Sequence, residues 1–128
     1  RLQRTHRPAV SALITAPLFA LQHVSLAVGA SVGEAVVLLV LLAVLSVPFR
    51  FLTGWTYNRT ASLLLVGLLH GAGNAVAGGS GFGEGALARL YPDSAVALMA
   101  HLLALFVLGL VVLIASRGHL GVTTDARS

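Results

Sequence analysis

The stretch that decides the fold of this chain is Leu63-Leu64-Leu65-Val66-Gly67-Leu68-Leu69-His70-Gly71-Ala72-Gly73-Asn74-Ala75-Val76. It is apolar enough to lie in a membrane, yet it contains a histidine and an asparagine. Residues four positions apart lie on one face of a helix, so His70 and Asn74 point the same way. An imidazole is costly in hydrocarbon and normally faces a partner or a water-filled cavity. The pair therefore indicates either a functional site or a polar contact that joins two helices.

The composition is that of a membrane protein. Of the 128 residues, 57% are hydrophobic and 9% are charged, whereas a soluble domain carries about 25% charged residues. The mean hydropathy is +0.93. The chain has no cysteine, which excludes a disulfide framework and thiolate chemistry. All eight basic residues are arginines that lie between apolar runs, so we expect contact with the lipid bilayer and no nucleic-acid partner.

Four apolar runs predict the architecture. A helix rises about 1.5 Å per residue and the hydrocarbon core is about 30 Å thick, so about 20 residues cross it. We expect an all-α membrane protein, a bundle of about four transmembrane helices over about 9–28, 33–52, 61–77 and 95–115. The second and third runs are short and need tilt or flanking residues. We expect a single domain over 1–116, incomplete at its N-terminus, followed by a polar tail that frays over 117–128.

Two further segments lie between the runs. Residues 48–60 alternate aromatic side chains with arginines, a pattern typical of the headgroup level, and we expect them to form an interfacial loop. The glycine-rich residues 78–85 lack the lysine and the preceding strand of a phosphate-binding loop. They predict a flexible outer loop.

The arginines also predict the orientation. In a four-span topology, seven fall on one side of the membrane and Arg89 alone falls on the other. The positive-inside rule then places both termini in the cytoplasm. We expect an integral protein of a bacterial plasma membrane.

Histidines occur in two more runs. Phe19 and His23 share a helical face in the first run, and His101 lies in the fourth. Imidazoles that face one another can orient a water, stabilise an oxyanion or bind zinc. A zinc ion, or another divalent metal, held by His23 and His70 is one possibility, and a three-histidine site that adds His101 is another.

Peptide hydrolysis also needs a group that activates water, normally a carboxylate or a metal. None of the four acidic residues lies mid-membrane beside the histidines, since Glu34 lies only at the entrance of the second predicted span; the others are Glu84, Asp93 and Asp125. The chain by itself therefore has residues that could stabilise an oxyanion but no carboxylate placed to activate the water.

Together these residues resemble a known family. Phe19-x-x-x-His23, followed later in the chain by His70-x-x-x-Asn74, resembles the second and third motifs of the CAAX-protease and bacteriocin-processing (CPBP, or Abi) family of intramembrane endopeptidases. Residues 54–63 resemble the approach to the third motif, and residues 1–8 resemble the basic segment that follows the first. The resemblance covers about residues 1–78.

The resemblance implies an endopeptidase, often labelled a metalloprotease, that acts on a peptide or membrane-protein substrate. It makes His23, His70 and Asn74 catalytic, with His70 and Asn74 stabilising the oxyanion and Phe19 packing in support. The first motif of the family, Glu-Glu-x-x-x-Arg, has no match here. Its glutamates activate the attacking water and hold the histidine at the position of His23. We therefore expect this chain alone to be inactive.

Two alternatives from other classes stay open. A non-catalytic membrane protein could bind a peptide, as in immunity to peptide toxins. A proton-coupled transporter fragment could use the histidines as a proton path. The reading frame upstream of residue 1 would distinguish the enzyme from these alternatives, because a Glu-Glu pair encoded there would complete the motifs of the family. Neither the substrate nor the oligomeric state can be read from the sequence.

Overall fold

The computed structural model describes residues 2–78, 84–93 and 95–122, apart from the side chain of Arg4. Those ranges contain helices and no strand, which confirms the all-helical class. The helices are α1 (Leu2–Thr5), α2 (Pro8–Leu21), a 3₁₀ helix (Val24–Ala27), α3 (Val32–Thr60), α4 (Leu63–Ala77), α5 (Ala86–Leu90) and α6 (Ala95–Ala115).

Two of these helices are long and apolar enough to cross a membrane. They are α3, with 29 residues, and α6, with 21. Helices α2 and α4 are apolar but have 14 and 15 residues, fewer than the about 20 that a perpendicular crossing needs. The predicted count of four transmembrane helices is therefore supported for two helices and not confirmed for the other two.

The predicted loop over 48–60 is wrong, because these residues form the C-terminal half of α3. Pro48 removes one backbone donor, a loss that helices in membranes tolerate when neighbouring helices pack against them. Helix α3 packs against both α2 and α6, and the Pro48 side chain is buried in that packing. Tertiary contacts thus maintain the helix through the proline.

Small side chains bring α2 and α3 close together. Ala12, Ala16 and Ala20 recur once per turn of α2 and are all buried. Opposite them, the Ser46 hydroxyl lies 3.1 Å from the Ala16 carbonyl and 2.8 Å from the Ala43 carbonyl, both acceptors. Small residues allow helices to approach closely in lipid. This contact sets the position of the α2 C-terminus relative to α3.

The α3–α6 contact depends on a glycine. Gly109 of α6 lies against Pro48 so closely that a Cβ atom there would overlap the proline carbonyl group. By contrast, a Cβ atom on Gly67 or Gly71 of α4 would meet open space among the described residues. The Gly67-x-x-x-Gly71 spacing therefore makes no close helix contact within the described part of the chain.

The beginning of the predicted tail packs against the bundle. Leu120 is 0% exposed and belongs to a small core with Ala12 and Phe51. Its carbonyl accepts a hydrogen bond from Asn58 Nδ2 at 2.9 Å, and its N–H donates to Ser116 Oγ at 3.1 Å. The expectation of fraying is wrong for 117–122, since a buried leucine ties this segment to the bundle. Residues 123–128, and 79–83 of the predicted outer loop, lie outside the described ranges.

Candidate active site

His23 lies just beyond the C-terminus of α2, before the 3₁₀ helix. Its Nδ1 is 3.1 Å from the Phe19 carbonyl oxygen. A carbonyl oxygen can only accept, so this hydrogen bond places a proton on Nδ1. In the neutral imidazole the other nitrogen, Nε2, then keeps its lone pair. The helix end thus orients His23 with an acceptor nitrogen available.

His70 and Asn74 lie one turn apart on α4, as predicted. Asn74 Nδ2 is within hydrogen-bond distance of His70 Nε2, at 3.2 Å, and both side chains are half-buried. The carboxamide has two N–H donors, so one can donate to His70 while the other stays available. With the amide donating to Nε2, the neutral His70 carries its proton on Nδ1.

A cluster of four rings joins α2, α3 and α4. The Phe19 ring centroid lies 5.2 Å from that of His23 and 5.0 Å from that of His70, and the two imidazoles are 5.9 Å apart. Phe49 of α3 completes the cluster, 5.7 Å from His70 and 5.8 Å from Phe19. The structure therefore brings together Phe19, His23, His70 and Asn74, the four residues singled out from the sequence.

Phe49 was missed by the sequence reasoning because residues 48–60 were assigned to a loop. Once α3 is continued through Pro48, a signal exists. Leu42, Ser46 and Phe49 follow the helical spacing of four and then three residues, and all three line one cavity.

That cavity has a volume of about 130 Å³ and lies beside the ring cluster. His70 and Asn74 line it from α4, and His101 and Phe106 line it from α6. The remaining lining is mostly apolar. His101 Nε2 is buried and has no hydrogen-bond partner among the described residues. The fourth predicted run thus contributes a histidine to the cavity but not to the ring cluster.

The three-histidine metal site is not formed. Within 2–78, 84–93 and 95–122, no group of three histidine, cysteine or acidic residues is arranged to hold a metal ion. Zinc takes three or four protein ligands at about 2.0–2.3 Å, and His23 and His70 offer two. Asn74 already engages Nε2 of His70. The described residues therefore do not by themselves fit a zinc ion, and the mechanism proposed below is written without one.

Carboxylates do not reach this site from the described residues. Glu34, Glu84 and Asp93 are all exposed, and none of them lines the cavity. Glu34 instead forms a capping box at the start of α3, where its Oε2 accepts from the Ser31 N–H at 2.9 Å.

Comparison with known proteins identifies the family. A family model described as Rce1-like, type II CAAX prenyl endopeptidase, matches residues 1–76. The match covers more than half of the chain and includes all four predicted site residues. The comparisons with curated proteins and with solved structures found no match. The predicted membership of the CAAX-protease family is therefore confirmed: the chain belongs to the Rce1-like family of membrane-embedded type II CAAX prenyl endopeptidases.

Proposed function

We propose that this protein is an intramembrane endopeptidase that hydrolyses a peptide bond near the C-terminus of a prenylated substrate. A CaaX sequence ends a chain and carries its prenyl group on the cysteine, so the lipid and the bond to be cut arrive together. The observation that supports the proposal best is the ring cluster, in which His23, just beyond α2, and His70 of α4 meet at Phe19 while Asn74 bonds His70.

In this proposal, His70 and Asn74 stabilise the oxyanion. The scissile carbonyl lies in the cavity beside α4, where the Nδ1–H of His70 and the free amide N–H of Asn74 serve as donors. Donors fixed in an apolar, water-poor site stabilise developing charge far better than they would in water. Removing such a donor typically lowers kcat by about 10²–10³-fold.

The attacking water is oriented by His23 and deprotonated by a carboxylate. The water oxygen bonds to the carbonyl carbon and its proton passes to the carboxylate. The C–N bond then breaks, and the departing nitrogen takes up that proton. The described acidic residues lie away from the cavity, so in this proposal the carboxylate belongs to a Glu-Glu motif upstream of residue 1.

The test uses the protein extended by its upstream Glu-Glu segment, reconstituted in nanodiscs. The substrate is a fluorogenic farnesylated peptide with a CaaX end. We expect His70→Ala and Asn74→Ala each to lower kcat by about 10²–10³-fold, because each removes one oxyanion donor.

His101→Ala is the matched control, since His101 lines the same cavity without joining the ring cluster. We expect it to keep most of the wild-type rate. An unchanged kcat in His70→Ala, with the variant folded, would contradict the proposed role of His70.

The absence of a described carboxylate at the cavity favours a second candidate, a membrane protein that binds a peptide without cutting it. The same assay separates the two functions. Binding of the farnesylated peptide without cleavage, in the protein that carries the Glu-Glu segment, would support the binding function and contradict the enzyme.

A further inference from the structure

A second cavity, of about 520 Å³, lies between α2 and α3. It is found at the end of the bundle where α2 begins and where α3 and α6 end, because Leu120 forms part of its wall. The polar residues Ser11, Thr15, Arg50 and Tyr57 also line it. None of the four ring-cluster residues lines this cavity, so the second cavity is separate from the candidate active site.

Arg50 is a half-buried cation in this cavity. Its Nη2 donates to Thr15 Oγ1 at 3.0 Å, and its guanidinium carbon lies 5.8 Å from the Phe19 ring centroid. Its Nε is buried and finds no acceptor among the described residues. A desolvated charge costs free energy unless it is paired and hydrogen-bonded. An anion bound in this cavity would therefore offset part of the cost of desolvating Arg50.

A second unsatisfied donor lies in the same wall. Ser11 is 5% exposed, and its Oγ has no hydrogen-bond partner among the described residues. It lies one turn of α2 before Thr15, the residue that accepts from Arg50. Among the described acidic residues, Glu34, Glu84 and Asp93, none lines this cavity. A guanidinium and a hydroxyl together match the oxygens of a carboxylate.

One face of α4 connects Arg50 to the candidate active site. Leu63 and Val66 line a smaller cavity together with Arg50, and His70 and Asn74 continue the same face into the active-site cavity. Val66 and His70 are one turn apart, about 6 Å along the helix axis. The Phe19 ring adjoins both groups, 5.0 Å from the His70 ring and 5.8 Å from the Arg50 guanidinium carbon.

We propose that Arg50, assisted by Ser11, binds the C-terminal carboxylate of the peptide whose scissile carbonyl lies at His70 and Asn74. This inference rests on the proposed function and adds a specificity determinant to it. The His70 ring and the Arg50 guanidinium carbon lie 5.0 Å and 5.8 Å from the Phe19 centroid, so they are at most about 11 Å apart. An extended chain advances about 3.3–3.6 Å per residue, so up to about three residues span the distance from the oxyanion donors to Arg50. Arg50 thereby selects peptides that end shortly after the cut bond.

A lipid phosphate would offer similar oxygens, but the structure favours the peptide. Arg59 and Arg117, at the same end of the bundle, are exposed and suited to headgroups. Arg50 is half-buried beside the Phe19 ring instead. Its guanidinium thus adjoins the ring cluster of the candidate active site.

The test compares two farnesylated peptides that differ only at the C-terminus, one a free acid and one an amide. Binding is measured by fluorescence anisotropy with the full chain in phosphatidylcholine nanodiscs, so that no cleavage is needed. We expect the acid to bind at least about tenfold more tightly, since hydrogen bonds to charged groups have that effect. Arg50→Gln should weaken binding of the acid to the level of the amide and leave the amide unchanged.

Three further variants complete the design. Arg50→Lys should keep part of the preference for the acid, and Ser11→Ala should reduce it by a smaller factor than Arg50→Gln. Arg117→Gln, which removes an exposed charge at the same end, should retain the full preference. Thermal unfolding and gel filtration verify the folding of each variant. If Arg50→Gln does not fold, the separate variants Arg50→Lys and Ser11→Ala still decide the test.

Equal binding of acid and amide by the wild type, or an equal loss for both peptides in Arg50→Gln, would overturn the inference. It would also be overturned if added phosphatidylglycerol competed with both peptides in the wild type and with neither in Arg50→Gln, because the occupant would then be a lipid headgroup. A preference for the acid that depends on Arg50, without cleavage by the protein carrying the Glu-Glu segment, would support the carboxylate site and overturn the hydrolytic function alone.

Discussion

At the scale of single residues, Phe19 connects the functional groups. Its ring contacts both imidazoles and Phe49, its carbonyl accepts from His23, and the Arg50 guanidinium carbon lies 5.8 Å from its ring centroid. Aromatic pairs at these separations contribute about 0.5–1.5 kcal/mol beyond the area they bury. The ring therefore acts as a positioning residue for His23 and His70.

We expect Phe19→Ala to lower kcat for peptide hydrolysis by about tenfold or more, because a misplacement of about 1 Å can cost that much. KM should change less. Phe106→Ala is the matched control, since Phe106 lines the active-site cavity from α6 outside the ring cluster. Steady-state kinetics, corrected for the folded fraction by thermal unfolding, make the comparison. Equal kcat values for the two variants would show that the Phe19 ring fills space and does not position the histidines.

At the scale of elements, α3 is the central helix because α2, α4 and α6 all pack against it. Its start is determined by the capping box of Ser31 and Glu34. In its middle, Pro48 contacts Gly109 of α6 so closely that a Cβ atom at position 109 would not fit. Phe49 and Arg50 follow directly, so the same contact positions one ring of the active-site cluster and the proposed carboxylate ligand.

We expect Gly109→Ala to destabilise the protein by about 1–3 kcal/mol, the usual cost of overpacking. Gly67→Ala is the matched control, because its Cβ would meet open space and alanine is the better helix former. Unfolding in mixed micelles, titrated with sodium dodecyl sulfate, measures both variants. A Gly109→Ala variant as stable as Gly67→Ala would mean that α6 does not approach α3 this closely.

At the scale of the whole molecule, the outer surface is apolar. Leu63, Val96 and Ile114 are 75%, 74% and 73% exposed, on helices whose polar residues lie at the cavities and at the helix ends. In a bilayer these side chains contact lipid tails and need no protein partner. The buried core is correspondingly small and lies mostly at the arginine-bearing end, around Ala12, Phe51 and Leu120.

Labelling of single cysteines tests the four-span topology directly, because the natural chain has no cysteine to interfere. Cysteines are introduced singly at the exposed positions His6, Ala30 and Tyr91 and treated with a membrane-impermeant maleimide. We expect Ala30→Cys and Tyr91→Cys to react in intact cells, and His6→Cys to react in inverted vesicles. If His6→Cys and Ala30→Cys reacted from one side and Tyr91→Cys from the other, α3 and α6 alone would cross the membrane.

What the sequence by itself determined is local. Apolar runs specify helices because hydrocarbon offers the backbone no other partner, and the four-residue spacings placed Phe19 with His23 and His70 with Asn74. The order of these two pairs indicated the family. Spacing along one helix could not show that the pairs meet, and the packing of α2 and α4 on α3 brought them within 5.9 Å.

Only the tertiary structure decided the rest. It continued α3 through Pro48, because contacts with α2 and α6 outweigh the lost hydrogen bond. This continuation of α3 places the Phe49 ring beside the histidines and the Arg50 side chain in a cavity. The local sequence around both residues indicates a membrane interface instead. The tertiary structure also left His101 beside the cluster instead of within it. Packing between elements distant in sequence is the physical reason, since it depends on how side chains fit across helices and not on the period of any one helix.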